Sequence, residues 1–255
     1  MQLPVFVINL ERRPDRLATI TGALDRIGLA FTRIPAIDGQ ALDGDPAILR
    51  MGAGHVACAR SHYKATAAFL DTGAAAALIL EEDVEVSPTV SALIFSSLDW
   101  WPEGHGLVKL DSTIQEHKRI WLGRPVGCTP DGRELKPILR SHLGAYGYMV
   151  DRRTAAEVSA LAPETPLPID HLLFNLTNSA FARRIKPLQA VPAAIRHLPY
   201  EQVGSDTGSS RVDGEKRWKG NRIARLLPTL GVVAWALAGR ARRRLVSFGA
   251  PLNWR

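Results

Sequence analysis

The stretch from Ala74 to Val86, AAAALILEEDVEV, constrains the fold of this chain more than any other. Five apolar residues, Ala76, Ala77, Leu78, Ile79 and Leu80, run directly into Glu81, Glu82 and Asp83. A short, continuously apolar run without helical periodicity predicts a strand buried on both faces of a parallel sheet. Open α/β sheets bind ligands beyond the carboxyl ends of their strands, so the acidic cluster stands where a site is built. In an extended chain Glu81 and Asp83 share one side and Glu82 takes the other. Two carboxylates converging there suit a hard divalent cation, Mg²⁺ or Mn²⁺, which prefers oxygen ligands and shares them with phosphates. The same residues also suit a solvated acidic loop after a core strand.

The flanking sequence repeats the strand–helix theme. VFVINL, residues 5–10, reads as a first buried strand. An amphipathic helix over Arg12 to Ile27 follows, with Leu17, Ile20, Leu24 and Ile27 at 3–4 spacing. Phe31 to Ile37 predicts a second strand closed by the turn Asp38-Gly39. Residues 40–54 read as loop and Val56 to Leu70 as a helix. Beyond Pro88 the pattern gives a helix at 90–98, a strand at 106–110 leading to Asp111, and another at 143–150 whose glycines allow close approach. Residues 115–142 have little periodicity and read as excursions over a binding face. Short helices are expected at 154–161, with Thr154 as cap, and at His171 to Leu176, just after the lone carboxylate of Asp170. Residues 204–216 are polar and rich in Gly and Ser.

At 255 residues and 46% apolar, the chain predicts one domain with a tail rather than two domains. Residues 1–200 carry 21 basic and 21 acidic side chains, and residues 201–255 carry 11 and 4, so the whole net charge of +7 belongs to the last segment. That distribution argues against a nucleic-acid binder. The opening MQLPVFVINLERR lacks the pattern of a signal peptide, and no apolar run reaches transmembrane length. Cys58 and Cys128 are too few for a disulfide framework. A cytoplasmic protein is expected.

Four blocks resemble glycosyltransferase family 25, which includes bacterial lipooligosaccharide galactosyltransferases and collagen galactosyltransferases. Ile8 to Arg16 (INLERRPDR) is similar to the family's INLxxRxxR, with Ala36-Ile37-Asp38-Gly39 as its AxDG. Gly54, Cys58, Ser61 and His62 match GExGCxxSH, and Leu80 to Val84 matches LEDDV. Ala145 to Val150 with Pro168-Ile169-Asp170 resembles GYxxS…PVD. His55, Ala57 and Glu82 depart from the family pattern. The resemblance implies a GT-A-like fold, an α/β architecture with a Rossmann-type, mostly parallel central sheet flanked by helices, and a nucleotide-sugar donor.

On that basis Glu81 and Asp83 are expected to hold Mn²⁺ or Mg²⁺ against the donor diphosphate, with His197 or His171 a further possible ligand. Glu82 is expected to face away and to tolerate replacement. Arg12 and Arg16, at the start of a helix, can reach the diphosphate. Asn9 and Asp38 are candidates for uridine or ribose, or for turn formation. Ser61, His62, Lys109 and Asp111 complete the donor-binding set. Asp170 is the candidate general base of an inverting transfer, or else a helix cap.

The expected division is a transferase domain over 1–210 and a basic, partly apolar tail over 211–255. In the tail, Lys216, Arg217, Lys219, Arg222 and Arg225 precede a 14-residue apolar stretch, Leu226 to Gly239, and Arg240, Arg242, Arg243 and Arg244 follow it. With Trp218, Trp235 and Trp254, this composition suits a segment lying on an anionic membrane, or a helix packed on the domain. The expected function is transfer of a hexose, galactose first, from a UDP-sugar to a lipid-linked lipopolysaccharide-core oligosaccharide at the inner face of the cytoplasmic membrane. Another donor acting on capsule or protein, and an inactive membrane-tethered sugar-binding protein, are the alternatives.

Overall fold

The computed structural model describes residues 2–42, 45, 47–112, 119–161, 167–199, 232–233 and 235–251. The expected basic cluster at 216–225, the Gly/Ser-rich stretch 204–216, Leu226, Trp218 and Trp254 lie outside them.

The apolar runs become the middle of an eight-stranded sheet. β1 (Val5–Asn9) lies between β2 (Thr32–Pro35) and β3 (Ala76–Glu81), parallel to both. Beyond β3 come β9 (Gly147–Asp151), β5 (Leu107–Lys109), β10 (Leu188–Val191), β8 (Glu134–Pro137) and β7 (Gly127–Cys128). β9 is antiparallel to both neighbours, so β2, β1, β3, β5 and β10 run one way. Two small antiparallel pairs flank this sheet. β4 (Val84–Val86) pairs with β11 (Ile195–His197), and β6 (Ile120–Gly123) pairs with β12 (Ala241–Arg244).

Alternation along the buried strands feeds two cores. Phe6, Ile8, Ala77, Ile79 and Tyr148 pack with α3 (Ala53–Asp71), α5 (Arg152–Leu161), α6 (Ile169–Phe174) and α7 (Ala180–Ile185). Val5, Val7, Leu78, Leu80 and Met149 pack on the other face with α1 (Pro14–Asp25) and α4 (Val90–Phe95). Pro14 opens α1, where its missing N–H costs nothing. The buried stripe of α1 is Arg16, Ile20 and Leu24, so its first inward position is charged. The expected loop 40–54 contains a 3₁₀ turn, Gly39–Ala41, and the single-turn α2 (Ile48–Met51). Thr154 is not a cap: its N–H donates to Asp151 Oδ1 at 2.7 Å inside the first turn of α5.

The stretch 115–142, expected to be irregular, holds β6, β7 and β8, built around Arg133. This guanidinium is fully buried. It pairs with Asp131 at 2.6 Å and donates to Thr89 Oγ1 and to the carbonyls of Pro192 and Gly249 at 2.7–2.9 Å. The last contact ties down part of the segment expected to stand apart as a tail. β12 zips onto β6, Val246 is buried in the first core, and Phe248 bridges to Ala193. By contrast Val233, Trp235 and Leu237 are exposed. Among the described residues no helix is long and apolar enough to cross a membrane.

Ending the chain after Arg240 therefore removes β12, the burial of Val246 and one acceptor of a buried guanidinium. The expected cost is at least about 3 kcal/mol, read as a lower urea midpoint; Leu237→Ser, on an exposed side chain, is expected to leave that midpoint unchanged.

Candidate active site

The acidic cluster is a turn rather than a continuation of β3. The strand ends at Glu81, the chain bends at Glu82 and Asp83, and β4 begins at Val84. Glu81 and Glu82 point to opposite sides, as alternation requires, but the expectation that Glu82 faces away and is dispensable is corrected. It points inward and is buried. Its carboxylate accepts from the Asn9 amide, from the Leu10 N–H at 2.9 Å and from Arg16 Nη1 at 3.0 Å. Burial pushes this carboxyl up, against the hydrogen bond from Asn9 and the charge of Arg16. Arg16 also stands 3.4 Å from Asp83 Oδ2. It is thus the buried counter-ion of the turn, not an arm reaching for a diphosphate.

On the outward side the turn meets α3. Cys58 and His62, one helical turn apart, face Glu81, and His62 Nε2 lies 3.3 Å from Glu81 Oε1. The Tyr148 hydroxyl, 3.0 Å from Nδ1, fixes the other ring nitrogen of His62. The Cys58 sulfur, a His62 nitrogen and a Glu81 oxygen lie within 4.8 Å of one another. Burial, with the charges of Glu81, Asp170 and Asp83 behind it, pushes the Cys58 thiol well up.

Asp83 leans toward β11. Its Oδ2 is 3.5 Å from His197 Nε2, and the His197 ring packs 4.5 Å from Tyr146. Its other oxygen, Oδ1, is buried with no hydrogen-bond partner among the described residues. A buried carboxylate oxygen left unsatisfied is costly, and a cation satisfies it. Asp83 and His197 therefore offer a divalent ion a carboxylate oxygen and an imidazole nitrogen, while Glu81 groups with Cys58 and His62; the oxygens suit Mg²⁺ or Mn²⁺, and the imidazole favours Mn²⁺ over Mg²⁺. His171 Nδ1 is engaged with the Asn175 amide at 3.1 Å.

Asp170 occupies the first turn of α6, but the cap position belongs to Pro168. Its carboxylate accepts from the N–H groups of His171 at 2.8 Å and Gly144 at 3.1 Å and stays partly accessible. Gly144 has φ +96°, and a Cβ there would fall 2.6 Å from the Tyr146 ring, so only glycine presents this N–H. Lys109 and Asp111 lie beneath, fully buried and paired at 2.6 Å. Asp111 also accepts from the Tyr146 N–H at 3.1 Å, and Lys109 donates to the Gly144 carbonyl. Both were expected on the donor; they support the Gly144 loop, whose N–H holds Asp170.

The other expected contacts divide the same way. Asn9 is buried, holding Glu82 and accepting from Arg33 at 2.7 Å. Ser61 donates to the Ala57 carbonyl at 2.7 Å and accepts from the Ile37 N–H at 2.9 Å, tying α3 to the loop after β2. Arg12 and Asp38 remain at the rim as a 2.6 Å ion pair, about one-third exposed. The Arg12 guanidinium holds the Asp38 carboxyl below its usual range. Tyr146 and Tyr148 escaped the sequence reading; Tyr148 packs in the core with α3 and α6, whereas Tyr146, just before β9, packs against the other core.

A family model described as glycosyltransferase family 25 (LPS biosynthesis protein) matches residues 2–173. The chain belongs to glycosyltransferase family 25. A glycosyltransferase 25 family member of Drosophila pseudoobscura pseudoobscura is 24% identical over 193 residues, 66% of this chain and 29% of that protein. One from Aedes aegypti is 29% identical over 67% of this chain and 31% of its own length. Procollagen galactosyltransferase 1 of Danio rerio is 26% identical over 66% of this chain and 30% of its own. The chain thus spans less than a third of the length of these relatives. Among solved structures, a glycosyltransferase involved in the glycosylation of the major capsid of PBCV-1 is similar, with TM-score 0.44 and 13% identity over 77% of this chain and 93% of that one.

Glu82→Ala removes the nearer carboxylate from a buried guanidinium and is expected to destabilise the fold by about 3 kcal/mol, whereas Glu81→Gln costs under about 1 kcal/mol; equal shifts in urea midpoint contradict the anchoring role. Asp111 supplies a pH test. Burial lifts its carboxyl from 3.8 to about 6, so the folded state holds this proton at a higher pH than the unfolded chain. Its contribution to stability is full below the lower value and declines as pH rises through the upper one. Thermal melts of Asp111→Asn are expected to lack this decline between pH 4 and 6, and to be lower than wild type at pH 7 by about 3 kcal/mol or more because Lys109 is left unpaired.

Proposed function

We propose that this chain transfers a hexose, galactose first, from a UDP-sugar to an oligosaccharide acceptor with inversion. The observation that carries the reading is the buried Oδ1 of Asp83, without a hydrogen-bond partner among the described residues, in the acidic turn of a family 25 domain. Galactose is favoured by the named activity of the Danio rerio relative, and a lipopolysaccharide acceptor by the description of the family model.

Asp170 is the general base. Its two backbone hydrogen bonds hold the carboxylate in place, and the accessible oxygen takes the proton of the attacking hydroxyl as the new glycosidic bond forms. Asp83 and His197 would hold Mn²⁺ or Mg²⁺, which when bound supplies positive charge to the departing diphosphate. Arg12, held by Asp38 at the rim, is positioned to meet the phosphates or ribose. The rigid ion pairs beneath, Arg16–Glu82 and Lys109–Asp111, keep these groups oriented without solvent rearrangement. The proposed setting is the cytoplasmic face of a membrane, with a lipid-linked acceptor. Exposed Trp235 and Leu237 beside Arg240 support it.

Asp170→Asn is expected to cut kcat for transfer by about 10²–10⁴ with donor KM nearly unchanged. A normal kcat with a lowered melting temperature makes Asp170 a structural residue. UDP-sugar hydrolysis is expected to stop in EDTA, to return with Mn²⁺, and to stay absent in Asp83→Asn; full activity in EDTA excludes the ion.

A further inference from the structure

The distal end of the sheet carries a polar cavity that the transfer reaction does not use. It encloses about 280 Å³ between the end of β6, the outer strand β8 and the returning segment 239–244. Its lining includes Arg124, Lys136, Arg240, Arg242 and Arg244, against a single carboxylate, Glu134. Glu134 is committed to Lys136 at 2.5 Å, and Lys136 is nearly buried. Arg124 Nε donates to the Gly239 carbonyl at 3.2 Å, which fixes the cavity's rim. Four guanidinium groups in so small a space repel one another, and an anion with several acceptor oxygens relieves that repulsion.

Two features narrow the anion. A volume of this size admits one small group, and arginines match the oxygen geometry of phosphate. Immediately before the cavity, Val233, Trp235 and Leu237 are exposed, Leu237 at 86%. The Arg240 N–H folds back to the Trp235 carbonyl at 2.7 Å, so apolar and basic groups belong to one compact surface. Apolar side chains beside a phosphate-sized cationic cavity describe the boundary between headgroups and acyl chains.

We propose that this cavity binds the phosphate of a lipid headgroup and seats the domain on the membrane. The inference rests on the membrane setting proposed above and deepens it by naming the site. The sheet order puts β8 four strand spacings from β3, about 19 Å. A lipid held at β8 therefore leaves the acidic turn beyond β3 open to an acceptor projecting from the same membrane.

Strand alternation provides the test. Arg242 and Arg244 line the cavity, whereas Arg243, between them, does not. All three are exposed, so their replacement leaves the fold intact, checked by thermal melting. Full-length protein is co-sedimented with phosphatidylcholine vesicles with and without phosphatidylglycerol. Arg242→Gln and Arg244→Gln are each expected to weaken binding to the anionic vesicles more than tenfold, and Arg243→Gln less than twofold. Inorganic phosphate is expected to displace the protein several-fold better than chloride at equal ionic strength. Equal losses for all three variants, or equal displacement by the two salts, overturn the cavity and leave diffuse attraction. No vesicle binding by the wild type, with phosphate binding that still depends on Arg242 and Arg244, overturns the lipid source and the membrane setting together. Donor hydrolysis measured on the same preparations reads the transfer reaction separately.

Discussion

The buried carboxylate of Glu82 holds the candidate site together. It joins the end of β1, through Asn9 and Leu10, to α1, through Arg16, and to the turn after β3. A turn with three consecutive acidic residues repels itself, and without an internal counter-charge it would relax into solvent. Arg16 cancels that repulsion from below. Glu81 and Asp83 can then project from a fixed backbone rather than from a mobile loop. A second buried pair, Lys109–Asp111, does the same for the loop at Gly144 that orients Asp170. Such pairs add little net stability, because desolvation offsets their attraction, but they make alternative arrangements expensive.

The polar residues near the strand ends fall into two sets with different work. Asn9, Arg16, Ser61, Glu82, Lys109 and Asp111 spend their hydrogen-bonding capacity on the protein itself. Glu81, Asp83, Asp170, Arg12 and Asp38 keep part of theirs outward. Preorganisation of this kind lets charge develop during a reaction without reorganising the surroundings.

The apolar runs VFVINL and AAAALIL announced their strands because burial on both faces leaves a plain mark in sequence. The position of the acidic turn followed from the same pattern. The direction in which each acid points did not, because it depends on remote partners: Arg16 meets Glu82 across 66 positions, and Asn9 meets it across 73. Arg16 could have been read as inward, since it shares a stripe with Ile20 and Leu24. The strands β6, β7, β8, β10 and β11 were illegible for another reason. They are two to four residues long, and buried Lys136 and Gln189 interrupt the apolar content of β8 and β10. Buried polar side chains of this kind are intelligible only once their partners are known.

Arg133 imposes an order of assembly. Its guanidinium is completed by carbonyls that lie 59 and 116 residues further along the chain. While the protein is being synthesised, the hairpin around Arg133 leaves the ribosome well before residue 249 does. During that interval Arg133 has its nearby partner Asp131 but lacks two of its carbonyl acceptors, so the distal edge of the sheet gains its full set of hydrogen bonds only after translation has passed Gly249. The edge that carries the cationic cavity is thus the last part of the sheet to be completed.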